Sequence, residues 1–256
     1  MIFKGEKVDL SNRTVLVTGG TGGIGFGIAK AFKEAGSAVI VCGRNREKLA
    51  KARQALPGIL AIPCDVGDAG QRKSLAAEVL RRFPALDVLV NNAGIQRYID
   101  LKKGLAELNS GEDEIATNLV GTIEMTALFI EHLMKKPAAA IINVGSALGL
   151  MPMPNMPVYC ATKAAIHTYS LVLRQQLKGT PVNVVEIVPP MVDTDLNRAG
   201  RDRIHLKHRG ISVAEYMPSV AAGLAKGDET IFHGDGAAMM SEPRGKSETR
   251  LLNPSW

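Results

Sequence analysis

Short apolar runs recur along the chain at 14–18, 38–42, 59–64, 86–91, 139–144 and 182–188, each separated from the next by a longer stretch of helical pattern. Runs that are apolar throughout, and not only at alternate positions, belong to strands buried on both faces, and such strands need helices above and below the sheet. The alternation predicts a single α/β domain over 1–256: a doubly wound parallel sheet of about seven strands with helices on both faces. Helices are expected at 24–35, 45–56, 68–82, 111–134 and 156–178, and a last short strand at 229–233. With 256 residues, 46% of them hydrophobic, the chain is long enough for one such core. The polar segment 241–256, with Pro243 and Pro254, is expected to be irregular.

Composition excludes several classes of function. No uncharged apolar run approaches the about eighteen residues of a membrane span, and Lys4, Glu6, Lys7, Asp9 and Arg13 leave no apolar leader, so a soluble, cytoplasmic protein is expected. Cys42, Cys64 and Cys160 are odd in number and lack a CxxC spacing, which points to reduced thiols. Among the histidines only His205 and His208 are spaced like ligands, and no acidic or cysteine cluster accompanies them; no metal is expected. The net charge of +6 is dispersed except at 198–209, which holds Arg198, Arg201, Arg203, His205, Lys207, His208 and Arg209.

A nucleotide site is written in two places. Directly after the first strand comes Thr18-Gly19-Gly20-Thr21-Gly22-Gly23-Ile24-Gly25, leading into a helix. A pyrophosphate approaches backbone only where side chains are absent, and the helix's first N–H groups then bind it, so the turn belongs to a Rossmann-type dinucleotide fold. The second strand ends Val41-Cys42-Gly43-Arg44, where an NAD site usually carries an acid. Arg44 instead suits a 2′-phosphate, with Arg46 and Lys48 as helpers, so NADP(H) is expected over NAD(H). The third strand ends Cys64-Asp65-Val66; Asp65 either meets the adenine or caps the next helix, a role for which Asp68 competes.

Tyr159 and Lys163, four apart on a helix, share one face, and a neighbouring ammonium favours the phenolate. Ser146 follows the fifth strand at the carboxyl edge, where doubly wound sheets bind ligands. The pair alone is a common coincidence. Taken with the glycine turn, Asn91-Asn92-Ala93-Gly94 and Asn118, in this chain order, the sequence resembles the short-chain dehydrogenase/reductase family over nearly its whole length. In finer detail Asn91-Asn92-Ala93-Gly94-Ile95-Gln96, Pro157-Val158-Tyr159-Cys160-Ala161-Thr162-Lys163 and Val188-Pro189-Pro190 are similar to the bacterial DltE-like branch.

The resemblance implies hydride exchange between a nicotinamide cofactor and a carbonyl or secondary alcohol. It makes Tyr159 the acid/base, Ser146 the orienting hydroxyl, Lys163 a ribose contact and Asn118 the end of a proton relay. Thr18, Gly19, Thr21, Gly23, Ile24, Gly25, Asp65, Val66, Asn92, Ala93 and Gly94 are implied in the cofactor site, with Tyr159, Lys163, Pro189, Val192 and Thr194. Two departures stand out: the family's Pro-Gly after the sixth strand is Pro189-Pro190 here, and its common C-terminal segment is not recognisable. A homodimer through 111–134 and 156–178 is therefore expected, with a tetramer as the alternative. A substrate lid is expected over 195–226, its cations either selecting an anionic substrate, reaching the cofactor phosphates or merely solvated; nucleic-acid binding through 198–209 is a rival reading, and no nucleic-acid or membrane partner is expected. Met151, Met153 and Met156 offer an apolar wall near Tyr159. The rival function is a non-catalytic NADP(H)-binding sensor or scaffold on the same fold.

Overall fold

The computed structural model describes residues 6–203 and 210–238. In chain order its elements include β1 (Thr14–Thr18), α1 (Gly23–Glu34), β2 (Ala38–Gly43), α2 (Arg46–Ala55), β3 (Leu60–Pro63), α3 (Ala69–Arg82), β4 (Val88–Asn91) and the short α4 (Leu105–Leu108). A π-helical stretch over Ile115–Val120 runs into α5 (Gly121–Leu133), followed by β5 (Ala139–Val144), α6 (Pro157–Gln176), β6 (Val182–Ile187), α7 (Arg198–Arg203), α8 (Val213–Lys226) and β7 (Thr230–Ile231). The strands form one parallel seven-stranded sheet in the order β3-β2-β1-β4-β5-β6-β7. The winding reverses between β1 and β4, which opens a crevice at their carboxyl ends.

The two faces of each strand explain the continuous apolar runs. Val15 and Val17 of β1, Val39 and Val41 of β2 and Val88 and Val90 of β4 point into one layer with Ile28 and Phe32 of α1 and Tyr216 and Val220 of α8. Leu16, Ile40, Leu89 and Ile141 point the other way, towards Leu75 and Val79 of α3, Met125 and Phe129 of α5 and Leu173 of α6. Side chains alternate between faces with a period of two, and each such burial contributes about 1.5–3 kcal/mol. A polar ladder crosses this apolar interior: Asn91 Nδ2 donates to Asn143 Oδ1 (3.0 Å), and Asn143 Nδ2 donates to Ser170 Oγ (3.0 Å).

The predicted elements are present, most with ends moved by a residue or two, whereas the helix expected from 111 begins at Ile115. Asn45 and Asp68 stand outside their helices as caps, accepting from the N–H groups of Lys48 and Gln71 at 2.9 and 2.8 Å. Two elements differ in kind. The helix expected at 111–134 opens as the π-helical stretch, which side-chain periodicity does not distinguish from α. No helix is expected from the sequence at 213–226, yet α8 covers the sheet there and leans on α1; a Cβ on Gly27 would lie 2.9 Å from Met217 Cγ. Pro218 within α8 hides it, because proline normally breaks a helix. The latter half of the expected lid is thus a packed helix. Residues 204–209 and the tail 241–256 lie outside the described residues. Among the described residues no helix is long and apolar enough to cross a membrane.

Candidate active site

Thr18 sits beneath the crevice and fastens it. Its buried hydroxyl donates to the Val90 carbonyl (3.2 Å) and accepts from the N–H groups of Asn92 (3.0 Å) and Ala93 (3.1 Å). Asn92 Nδ2 returns bonds to the carbonyls of Thr18 (2.9 Å) and Gly19 (3.2 Å), so the turns after β1 and β4 are one unit. Gly19 adopts φ +64°, and a Cβ there would lie 2.8 Å from Ala93 Cα. At Gly25 a Cβ would strike the Asn92 amide and lie 2.6 Å from the Gly19 carbonyl. Gly22 is open by contrast, with nothing within 4 Å of an added Cβ, and α1 begins behind it without a side-chain cap. Its first N–H groups are left for an anion, so the turn fits a pyrophosphate.

Above this turn lies a cleft of about 1010 Å³. It is bordered by Gly19, Thr21, Gly23, Ile24, Gly25, Arg44, Asp65, Val66, Asn92, Ala93 and Gly94 and also by Ser146, Tyr159, Lys163, Pro189, Val192 and Thr194. Of the expected site residues, Thr18 and Asn118 do not border it. Met153 and Met156 do, whereas Met151 does not. Arg44 is half exposed and already engaged: its guanidinium forms a two-pronged bond with Glu112 and lies 3.8 Å from Asp65. Asp65 accepts from the Gly67 N–H (2.8 Å) and faces the cleft, leaving the capping role to Asp68. Lys48 reaches across to Asp195 (3.1 Å).

At the chemical end the Ser146 hydroxyl, which accepts from the Leu148 N–H (3.1 Å), and the Tyr159 phenol stand on the same wall of the cleft, close enough for Ser146 to favour the ionised phenol. Lys163 donates to the Val144 carbonyl (2.7 Å), and its Nζ lies 5.7 Å from the centre of the Tyr159 ring. The net shift of the phenol is upward, opposite to the one that the lysine's spacing suggests. Burial pushes Tyr159 up to about 12 and outweighs the nearby Ser146 hydroxyl, while burial brings Lys163 down to about 8 against the opposing charge of Glu186.

The model of the short chain dehydrogenase family matches residues 13–204. The chain belongs to this family. This short-chain dehydrogenase is 50% identical over 222 residues to the uncharacterized oxidoreductase DltE of Bacillus subtilis (strain 168), covering 87% of this chain and 88% of that protein. Among solved structures it is similar to a short chain dehydrogenase from Burkholderia cenocepacia J2315 in complex with NADP. That likeness has a TM-score of 0.81 and 26% identity, covering 96% of this chain and 100% of the other. A short-chain dehydrogenase/reductase from Burkholderia phymatum shares the fold with a TM-score of 0.82 at 19% identity, over 97% and 98% of the two chains. The protein is an NAD(P)-dependent oxidoreductase.

Asn118 is fully buried in the π-helical stretch of this dehydrogenase and serves as a clamp. Its side chain accepts from the Ile95 N–H (2.8 Å) and donates to the Ile95 carbonyl (2.9 Å) and Thr162 Oγ1 (3.1 Å). Its own carbonyl accepts from Thr122 Oγ1 (2.8 Å). Two acids escape notice in the sequence. Glu114 is buried close enough to Tyr159 to oppose its ionisation, and burial pushes it up to about 7. Glu186, on β6, is buried behind Lys163 and meets His167 Nδ1 at 2.7 Å. A lone acid within an apolar strand is the signal that would have found Glu186; Glu114 leaves none.

Proposed function

We propose that this enzyme reduces a carbonyl compound, or oxidises the matching secondary alcohol, with NADP(H) in preference to NAD(H) and with Tyr159 as acid/base. The observation that carries this reading is the Ser146–Tyr159 hydroxyl pair on the wall of the same cleft as the glycine turn. The bound nicotinamide supplies or accepts the hydride, and the chain supplies position and the proton. Ser146 orients the substrate oxygen, and Tyr159, neutral at pH 7, donates its proton to that oxygen in the reducing direction. The Lys163 ammonium beside the ring stabilises the charge left on the phenol. We place the protein in the cytoplasm, where its buried cysteine thiols stay reduced.

Carbonyl-dependent oxidation of NADPH across a panel of aldehydes and ketones tests the reading. NADPH binding with no turnover of any compound would favour the non-catalytic sensor. The rate is expected to fall as pH rises through about 8, because burial lowers Lys163 to that range and its ammonium is then lost. Glu186 opposes that loss, so Glu186→Gln moves the falling limb to lower pH by roughly one unit. Superimposable profiles would remove Lys163 from the role.

Self-association through α5 and α6 is supported by the apolar side chains those helices expose: Ile123 on α5, Ile115 and Val120 just before it, and Leu171 and Val172 on α6. Light scattering at micromolar concentration is expected to give a dimer. A monomer would exclude this face as an interface.

A further inference from the structure

The segment after β6 brings to the cleft two buried donor atoms that have no hydrogen-bond partner among the described residues. Arg201 of α7 is only 6% exposed although it is charged. Its Nη2 donates to the Thr194 carbonyl, while its Nε has no hydrogen-bond partner among the described residues. Asn197 Nδ2 is likewise buried and unpartnered. Both residues border the cleft that holds Tyr159.

Their placement is enforced. Asn197 takes φ +51°, a left-handed conformation that favours glycine and that asparagine tolerates better than most other residues. A Cβ on Gly200 would lie 2.8 Å from both Asn197 Cγ and Tyr98 Cδ2, so the absence of a side chain at Gly200 lets the amide and the Tyr98 ring close together. Tyr98 feels the Arg201 charge and packs in the same apolar cluster as Tyr159 and Met156, which puts the two donors at the substrate end. Of the neighbouring carboxylates, Asp195 pairs with Lys48 and Arg198, each at 3.1 Å, while Asp193 Oδ1 lies 3.7 Å from Arg198 and accepts no hydrogen bond among the described residues, from Arg201 or any other donor. A buried guanidinium N–H without an acceptor is unfavourable, and a guanidinium beside an amide matches the two oxygens of a carboxylate.

We propose that Arg201 and Asn197 form an anion subsite, so that the carbonyl or alcohol turned over by this enzyme carries a carboxylate. The identity of that anion as substrate rests on the catalytic reading above. Thr194, which Arg201 holds, also adjoins the nucleotide turn at Gly23, so a cofactor phosphate is the competing source of the charge.

The test compares kcat/KM for 2-, 3- and 4-oxo acids, each beside its methyl ester. At least one acid is expected to exceed its ester by about 100-fold, in line with sites that leave buried polar groups unpaired when the wrong substrate binds. Arg201→Met is expected to bring that ratio close to one. Asn197→Gly, which keeps the left-handed backbone and removes the amide, is expected to reduce it about tenfold and covers the case that the arginine variant does not fold. Calorimetric titration with succinate reads the subsite without chemistry, and its affinity should fall at least about tenfold in both variants. Loss of succinate binding in the variants of a protein that turns over no oxo compound would support the subsite while removing the hydride reading. Equal rates on acid and ester, or succinate binding unchanged in both variants, would overturn the proposal. So would a loss of NADPH affinity in Arg201→Met with the acid/ester ratio intact, since that assigns the guanidinium to the cofactor.

Discussion

Replacing Tyr159 with phenylalanine is expected to lower turnover by about 10²–10⁴-fold, the usual contribution of a positioned proton donor, while NADPH binding stays within about twofold. The ring of Tyr159 is buried among Met156, Cys160, Tyr98 and Leu148, and phenylalanine fills the same volume, so the packing survives. What disappears is one hydroxyl, the neighbour of Ser146 on the cleft wall, and with it a proton that burial holds by pushing the phenol up to about 12. Turnover by stopped-flow and cofactor affinity by fluorescence titration separate the two effects. A variant that keeps most of its activity would take Tyr159 out of the acid/base role, and one that loses NADPH binding as well would make it a cofactor residue first.

The second large effect concerns cofactor choice. Arg44→Ser is expected to weaken NADPH by roughly 30–100-fold and to leave NADH within about threefold, because a charge-assisted bond to a 2′-phosphate contributes about 2–3 kcal/mol that NADH cannot recover. Glu112 now occupies the Arg44 guanidinium, at an exposed position where an ion pair is worth about 1 kcal/mol or less. Glu112→Gln should therefore tighten NADPH several-fold by removing the competitor. Fluorescence titrations of both variants with both cofactors make the comparison. Equal wild-type affinities for NADPH and NADH, or no change on replacing Glu112, would overturn the role given to Arg44.

The sheet was legible because its strands are buried on both faces, which leaves an unbroken apolar signature at residues such as 139–144. The glycine turn was legible because a backbone with no room at Gly19 and Gly25 permits little else. Long-range partners were not. Arg44 and Glu112 are 68 residues apart, and nothing local to either one announces the other. The ionisation of Tyr159 was misjudged for a related reason: the lysine four residues on is visible in the sequence, whereas the burial that outweighs it is a property of the folded cluster. Asn118 was correctly placed in a helical segment, but its bonds to Ile95 and Thr162 depend on how α6 and the segment after β4 meet it. Pro218 concealed α8 by obeying its local preference less than its tertiary surroundings.

Asn91 and Asn143 are direct cross-strand neighbours in β4 and β5, and Ser170 takes the next bond on α6. Strands as uniformly aliphatic as these carry little that distinguishes one alignment from the next. A slip of one residue would turn each amide to the opposite side of the sheet and strand it in hydrocarbon without a partner. The ladder thus works as a proofreading key for assembly: it contributes less to the depth of the native state than to the penalty on its misaligned competitors, and so holds β4, one wall of the crevice, in a single alignment against β5 before any cofactor arrives.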